Sequence, residues 1–113
     1  MAQFDLCKNL VAPVQIASTL GDIGTVGTGK RWVIKDINLY NSNTTTETVK
    51  IYRLPTGDSA TAKNIIFQAD VLSLETINIQ CFFVLAAGDK IQAITTTASK
   101  VGVTIDGIEE STT

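Results

Sequence analysis

Apolar and polar residues alternate along most of this chain. Ile77, Ile79, Cys81, Phe83 and Leu85 occupy one phase, against Asn78, Gln80, Phe82 and Val84 in the other. In residues 65–71 the apolar positions are Ile65, Phe67, Ala69 and Val71, with Gln68 and Asp70 between them. Val101, Val103 and Ile105 alternate with Gly102, Thr104 and Asp106, and near the start Leu10, Ala12, Val14 and Ile16 share a phase. Alternate side chains of a strand point to opposite faces, so each run offers one face to a core. Between Arg31 and Tyr40 the phase changes, from Trp32 and Ile34 to Ile37 and Leu39. A β-bulge at Lys35–Asp36 produces such a slip, and it is preferred over a strand buried on both faces.

No window carries an apolar stripe at helical spacing beyond about two turns. Residues 59–64 read as a loop, with one helical turn as the alternative, and residues 109–113 read as a fraying tail. Turn residues recur at short intervals: Gly21-Asp22, Thr28 to Lys30, Asn41 to Thr46, Pro55 to Asp58, Ala87 to Asp89, Ala98 to Lys100 and Asp106-Gly107. Roughly seven to nine short strands follow, predicting an all-β, antiparallel β-sandwich or barrel. A sandwich is favoured, and a jelly-roll and an immunoglobulin-like strand order fit the periodicity equally. Residues 1–20 read as an N-terminal arm plus first strand, and residues 21–113 as the sandwich, within a single domain. The length of 113 residues suffices to bury a core. Gly88 supplies the positive φ of a tight reversal and Asp89 can bond the backbone beyond it, so Asp89 is read as a turn former.

Composition narrows the function classes. Charged residues are 18% and apolar residues 44%, a folded composition. Nine basic against 11 acidic side chains give a net charge of -2, with Lys30-Arg31 the one basic pair. No stripe exists that neutralises several phosphates, so direct nucleic-acid binding is not expected. The longest apolar run, Cys81 to Ala87, is far short of the ~20 residues that cross a bilayer, so no membrane partner is expected. Asp5 and Lys8 interrupt the N-terminal region where a secretion signal would be apolar, which predicts folding in a cytoplasm. Cys7 and Cys81, far apart, read as free thiols: Cys81 as a small apolar strand residue, Cys7 as an exposed one.

Candidate chemistry is sparse. Gly24 to Arg31 approaches a phosphate-binding loop, but Arg31 replaces the magnesium-binding hydroxyl and Trp32 to Ile34 continue as a strand where a helix must begin. Histidine is absent, which removes the commonest general base and metal ligand. Asp70 and Glu75 read as solvated strand or loop residues. Asp106, Glu109 and Glu110 read as a solvated acidic tail, with weak calcium binding as the alternative. Asn43-Thr44-Thr45 matches a glycosylation acceptor, idle without secretion. No catalytic, metal or cofactor site is assigned, and the chain reads as a non-enzyme. Trp32 and Tyr52 offer an aromatic platform for a sugar if they face outward, and core packing is the simpler account. Phe82 and Val84 differ: they sit on the face opposite the core, and an exposed apolar pair there predicts cover by another subunit or partner.

Two stretches carry a resemblance. "GTGKRWVIKDINLYNSNTTTETVKIYRLPTGDS" and "LAAGDKIQAITTTASKVGVTIDGIEE" look like the small β-sandwich virion proteins of tailed bacteriophages, over roughly residues 24–110. The matching positions Gly29, Trp32, Gly88 and Asp89 are architectural. The resemblance implies a virion structural protein without cofactors, most simply a head decoration or cement protein. Such a protein bridges subunits of the major capsid protein and is itself a homo-oligomer, taken as a trimer. A neck or tail component of the same fold and a carbohydrate-binding host-attachment module are the alternatives.

Overall fold

The alternating runs fold as strands. A computed structural model describes residues 7–112, in which eight strands follow one another. They are β1 (Lys8–Gln15), β2 (Gly21–Thr25), β3 (Lys30–Asn41), β4 (Glu47–Leu54), β5 (Ile65–Val71), β6 (Thr76–Leu85), β7 (Lys90–Thr95) and β8 (Val101–Ser111). β4 pairs with β5, β3 with β6, β2 with β7 and β1 with β8, all antiparallel. These pairs nest like one long hairpin, and successive pairs alternate between two sheets. Sheet A has the order β1-β8-β3-β6 and sheet B the order β2-β7-β4-β5. That wrapping is the jelly roll, so the strand order decides between the two sandwiches the periodicity allowed.

The core lies between the sheets. Trp32, Ile34, Ile37, Leu39, Val101, Val103 and Ile105 of sheet A meet Val49, Ile51, Val71, Ile91 and Ala93 of sheet B. The phase change in β3 is a bulge: its register shifts between Ile34 and Asp36 against both β6 and β8. Trp32 and Ile34 before it, and Ile37 and Leu39 after it, are therefore all buried.

Several local expectations are corrected, beginning with the turns at Gly21-Asp22 and Asp106-Gly107, which lie inside β2 and β8. In β1 the shared phase of Leu10, Ala12, Val14 and Ile16 does not hold: Val11 and Ile16 are buried while Ala12 and Val14 are exposed. Two register shifts break the alternation, and Pro13, inside the second, has no N–H for the ladder. In β5, a shift opposite Ile51–Tyr52 lets Ile66 as well as Phe67 pack on the core. Residues 62–64 form a single 3-10 turn, in which Asn64 Oδ1 accepts from the Thr61 amide at 2.9 Å. The tail does not fray at 109, because β8 pairs with β3 as far as Lys30–Ser111. Of the N-terminal arm, residues 1–6 lie outside the described residues, while Lys8–Gln15 is an edge strand on β8.

The β6–β7 turn shows how loops lock this end of the sandwich. Gly88 has φ +87, and its amide donates to the Val26 carbonyl at 2.9 Å. The Asp89 carboxylate accepts from the Ala86 amide at 2.9 Å and from the Thr56 amide at 3.0 Å, joining this turn to the β4–β5 loop. Asp89 is thus a turn former that also holds a second loop. A Cβ on Gly88 would meet Thr56 Oγ1 at 2.5 Å. We expect Gly88→Ala to cost about 1–3 kcal/mol, combining backbone strain with that clash. Thermal unfolding followed by circular dichroism should show a midpoint lower by roughly 5–15 °C; an unchanged midpoint would mean that Thr56 yields freely.

Candidate assembly surface

Four carboxylates singled out from the sequence link neighbouring strands. Asp106 accepts from Asn9 Nδ2 at 2.9 Å, and Glu110 accepts from Arg31 Nη2 at 2.9 Å. Glu109 accepts from Trp32 Nε1 at 2.9 Å and from Lys8 Nζ at 3.1 Å. The Trp32 N–H first, and then Lys8, hold the Glu109 carboxyl below its ordinary range. Asp70 accepts from Thr48 Oγ1 at 2.7 Å, and Glu75 is exposed beyond the turn. Among the described residues no three acidic, cysteine or histidine side chains gather as metal ligands would. The Gly24 to Arg31 segment runs from β2 through a tight loop directly into β3, with the Lys30 amide donating to the Gly27 carbonyl at 3.2 Å.

A buried acid that the turn and motif reading passed over is Glu47, 1% exposed. Its Oε1 accepts from the Thr97 amide at 2.7 Å and its Oε2 from Asn43 Nδ2 at 3.1 Å. Asn41, also buried, donates from Nδ2 to the Thr45 and Val71 carbonyls at 2.9 Å each. The signal was present in the sequence: Glu47 shares the inward phase of Val49 and Ile51, and Asn41 that of Ile37 and Leu39. A polar group in an inward phase must be hydrogen-bonded there. Both side chains bind backbone where strands end, which makes them clamps.

The aromatic residues separate. Trp32 is 5% exposed and belongs to the core, with a Cβ on Gly24 only 3.2 Å from its ring. A platform at Trp32 is therefore ruled out by its burial. Tyr52 lies half-buried on the outer face of sheet B, in an open groove of about 270 Å³ with Lys50, Thr48, Ile94 and Thr96. Structure thus places the two proposed platform residues on opposite sides of sheet packing and does not bring them together.

Phe82 and Val84 emerge on the outer face of β6, 65% and 38% exposed. Val33, the partner of Val84 in the ladder, and Ile108, the partner of Val33, extend the same apolar end across sheet A. β6 is also an edge strand, and the ten residues Thr76–Leu85 contain no charge, proline or glycine. The ladder of β6 with β3 also shifts, between Phe83 and Gln80, but the other three edges are broken further. β1 carries Lys8, Pro13 and two register shifts; β2 has five residues with Asp22, two glycines and a shift; β5 carries Asp70 and a shift. Long, uncharged, apolar edges are templates for pairing with another chain. Cys81, inward on β6, packs against the core, and desolvation, then the charge of Asp36, raise its thiol pKa; Cys7 is exposed ahead of β1.

No family model and no curated protein matches this chain. Among solved structures, it is similar to a chain described in "Bacillus endospore appendages form a novel family of disulfide-linked pili". That likeness has a TM-score of 0.60 and 14% identity and covers 96% of this chain and 89% of the other. A chain from "Structure of infectious bursal disease virus Gt strain" matches with a TM-score of 0.35 and 8% identity, over 93% of this chain and 32% of that one. The first likeness shows a shared fold; the second carries no argument.

Two measurements check these assignments. Removing Phe82 as Phe82→Ser should change folding stability by less than about 0.5 kcal/mol, whereas Trp32→Ala should cost about 3–5 kcal/mol in urea titrations. The lowered carboxyl of Glu47 contributes stability above its unfolded pKa, about 4.3, and that stability is lost as pH falls through the lower folded value. Burial alone would raise this pKa, but the Thr97 amide, Asn43 and the Lys100 charge together outweigh it. The thermal midpoint should therefore fall between pH 5 and pH 2, as typical carboxylates titrate there. Glu47→Gln should lower the midpoint at pH 7 and flatten that acid dependence.

Proposed function

We propose that this chain is a non-enzymatic structural subunit that associates with copies of itself through the β6 edge and the apolar end of sheet A. The observation that carries the reading is the uncharged edge Thr76–Leu85 with Phe82 and Val84 exposed on it. Pairing there would extend sheet A into a neighbour's sheet, gaining backbone hydrogen bonds and covering the two side chains. The likeness, over 96% of this chain, to a chain from the disulfide-linked pili of Bacillus endospore appendages supports an extended assembly. That neighbour is described as disulfide-linked, and Cys7 is the exposed thiol available here for such a link.

Capsid decoration is the narrower version of the same reading and rests on the resemblance over residues 24–110. It places a trimer on the major capsid protein of a phage head, with the chain localised to the virion, and it makes a different prediction about closure. A decorating subunit forms a small closed oligomer, whereas a pilus subunit adds head to tail without closing.

Purified protein at tens of micromolar, examined by sedimentation and negative-stain electron microscopy, distinguishes these. Open fibres support the pilus-type subunit, and a closed trimer that binds capsids supports decoration. We expect a Gln80→Lys, Phe82→Lys double variant to keep the wild-type melting midpoint and to remain monomeric, since lysines on an edge oppose pairing. A wild-type chain that stays monomeric alone and ignores capsids would sink the proposal.

A further inference from the structure

The exposed apolar end of β6 is attended by two cations from elsewhere in the fold. Lys35 Nζ lies 4.6 Å from the centroid of the Phe82 ring, covering it from β3. Arg53 belongs to β4 in sheet B, yet its Nη2 donates to the Val84 carbonyl of β6 in sheet A at 2.6 Å. A donor arriving from the opposite sheet meets β6 from outside the β3–β6 ladder, on the side where a further strand would lie. Hydrogen bonds with an ionised donor are shorter and about twice as strong as neutral ones. An incoming strand must therefore displace a bulky guanidinium before it can bond this part of the edge. The residues Thr76–Gln80 carry no such attachment among the described contacts.

We infer that Arg53, assisted by Lys35, is a gate on the assembly edge: it closes the Phe82–Leu85 half of β6 in the free subunit and is displaced when a second copy pairs. This inference rests on the self-association proposed above. Pairing then begins at Thr76–Gln80 and zips toward Val84 as the guanidinium swings away. The partner is another copy of this chain presenting a strand edge. The gate slows the onset of assembly without altering the assembled contacts, so the subunit stays dispersed until its concentration or surroundings favour nucleation.

The test is the lag before assembly, read by light scattering at matched concentrations of wild type, Arg53→Ala and Arg53→Gln, with folding confirmed by melting curves. Arg53→Ala should shorten the lag on the order of tenfold, as expected for loss of one charge-assisted hydrogen bond. Arg53→Gln, which retains a neutral donor, should fall between it and wild type. If the alanine variant does not fold, the glutamine variant alone decides by the same shortening. Folded variants with the wild-type lag, while Gln80→Lys, Phe82→Lys still abolishes assembly, overturn the gate and leave the edge reading intact. Wild type and both arginine variants all monomeric at every concentration overturn both.

Discussion

The one-residue slip in β3 is the constraint on which sheet A depends. β3 is the twelve-residue strand that joins β8 on one side to β6 on the other. Side chains alternate with period two, so an uninterrupted β3 would turn either Trp32 and Ile34 or Ile37 and Leu39 toward water. The bulge between Ile34 and Asp36 puts all four inside. Its partner strand is fitted to it: a Cβ on Gly107, opposite Ile34, would collide with the Val33 carbonyl. With the register fixed, Trp32 Nε1 reaches Glu109, and β8 stays paired where an acidic tail was expected to fray.

Closing two sheets on each other buries one face of each strand and leaves four edges open. In this chain the edges are unequal. Pro13 and paired register shifts spoil β1, β2 is short and glycine-rich, and β5 carries Asp70 and a register shift at Ile66. β6 alone presents a long edge without charge, proline or glycine, although its own ladder with β3 shifts between Phe83 and Gln80. Bulges and charges oppose pairing between edges, so β6 is the edge on which the proposed association would form. Two cations sit at the same end of β6: Lys35 over the Phe82 ring and Arg53 on the Val84 carbonyl.

The polar residues do their work at the ends of the sandwich. Asn41 and Glu47 tie the β3–β4 loop to the end of β5 and to the β7–β8 loop. At the opposite kind of junction, Asp89 joins the β6–β7 turn to Thr56. These side chains bond mainly backbone groups that strand ladders leave unpaired, and among the described residues every buried side-chain polar atom has a partner.

Period-two alternation pointed to strands, favoured the bulge at Lys35–Asp36 and placed Phe82 and Val84 outward, while Gly88 and Asp89 marked a turn by their own chemistry. Each depends on neighbours within a few residues, though the phase given for β1 did not hold. The inward phase also marked Glu47 and Asn41, although their partners, Thr97 and Val71, are distant in sequence. Tertiary structure decided the rest. Whether Trp32 faces a core or a ligand, whether Glu109 frays, and that β6 is an edge all follow from which strands lie side by side. The nested pairing that joins β1 to β8 links the two ends of the chain, and no local pattern encodes a contact made across the whole sequence. Arg53 shows the same limit: its bond to Val84 exists only because the jelly roll folds one sheet's end over the other's edge.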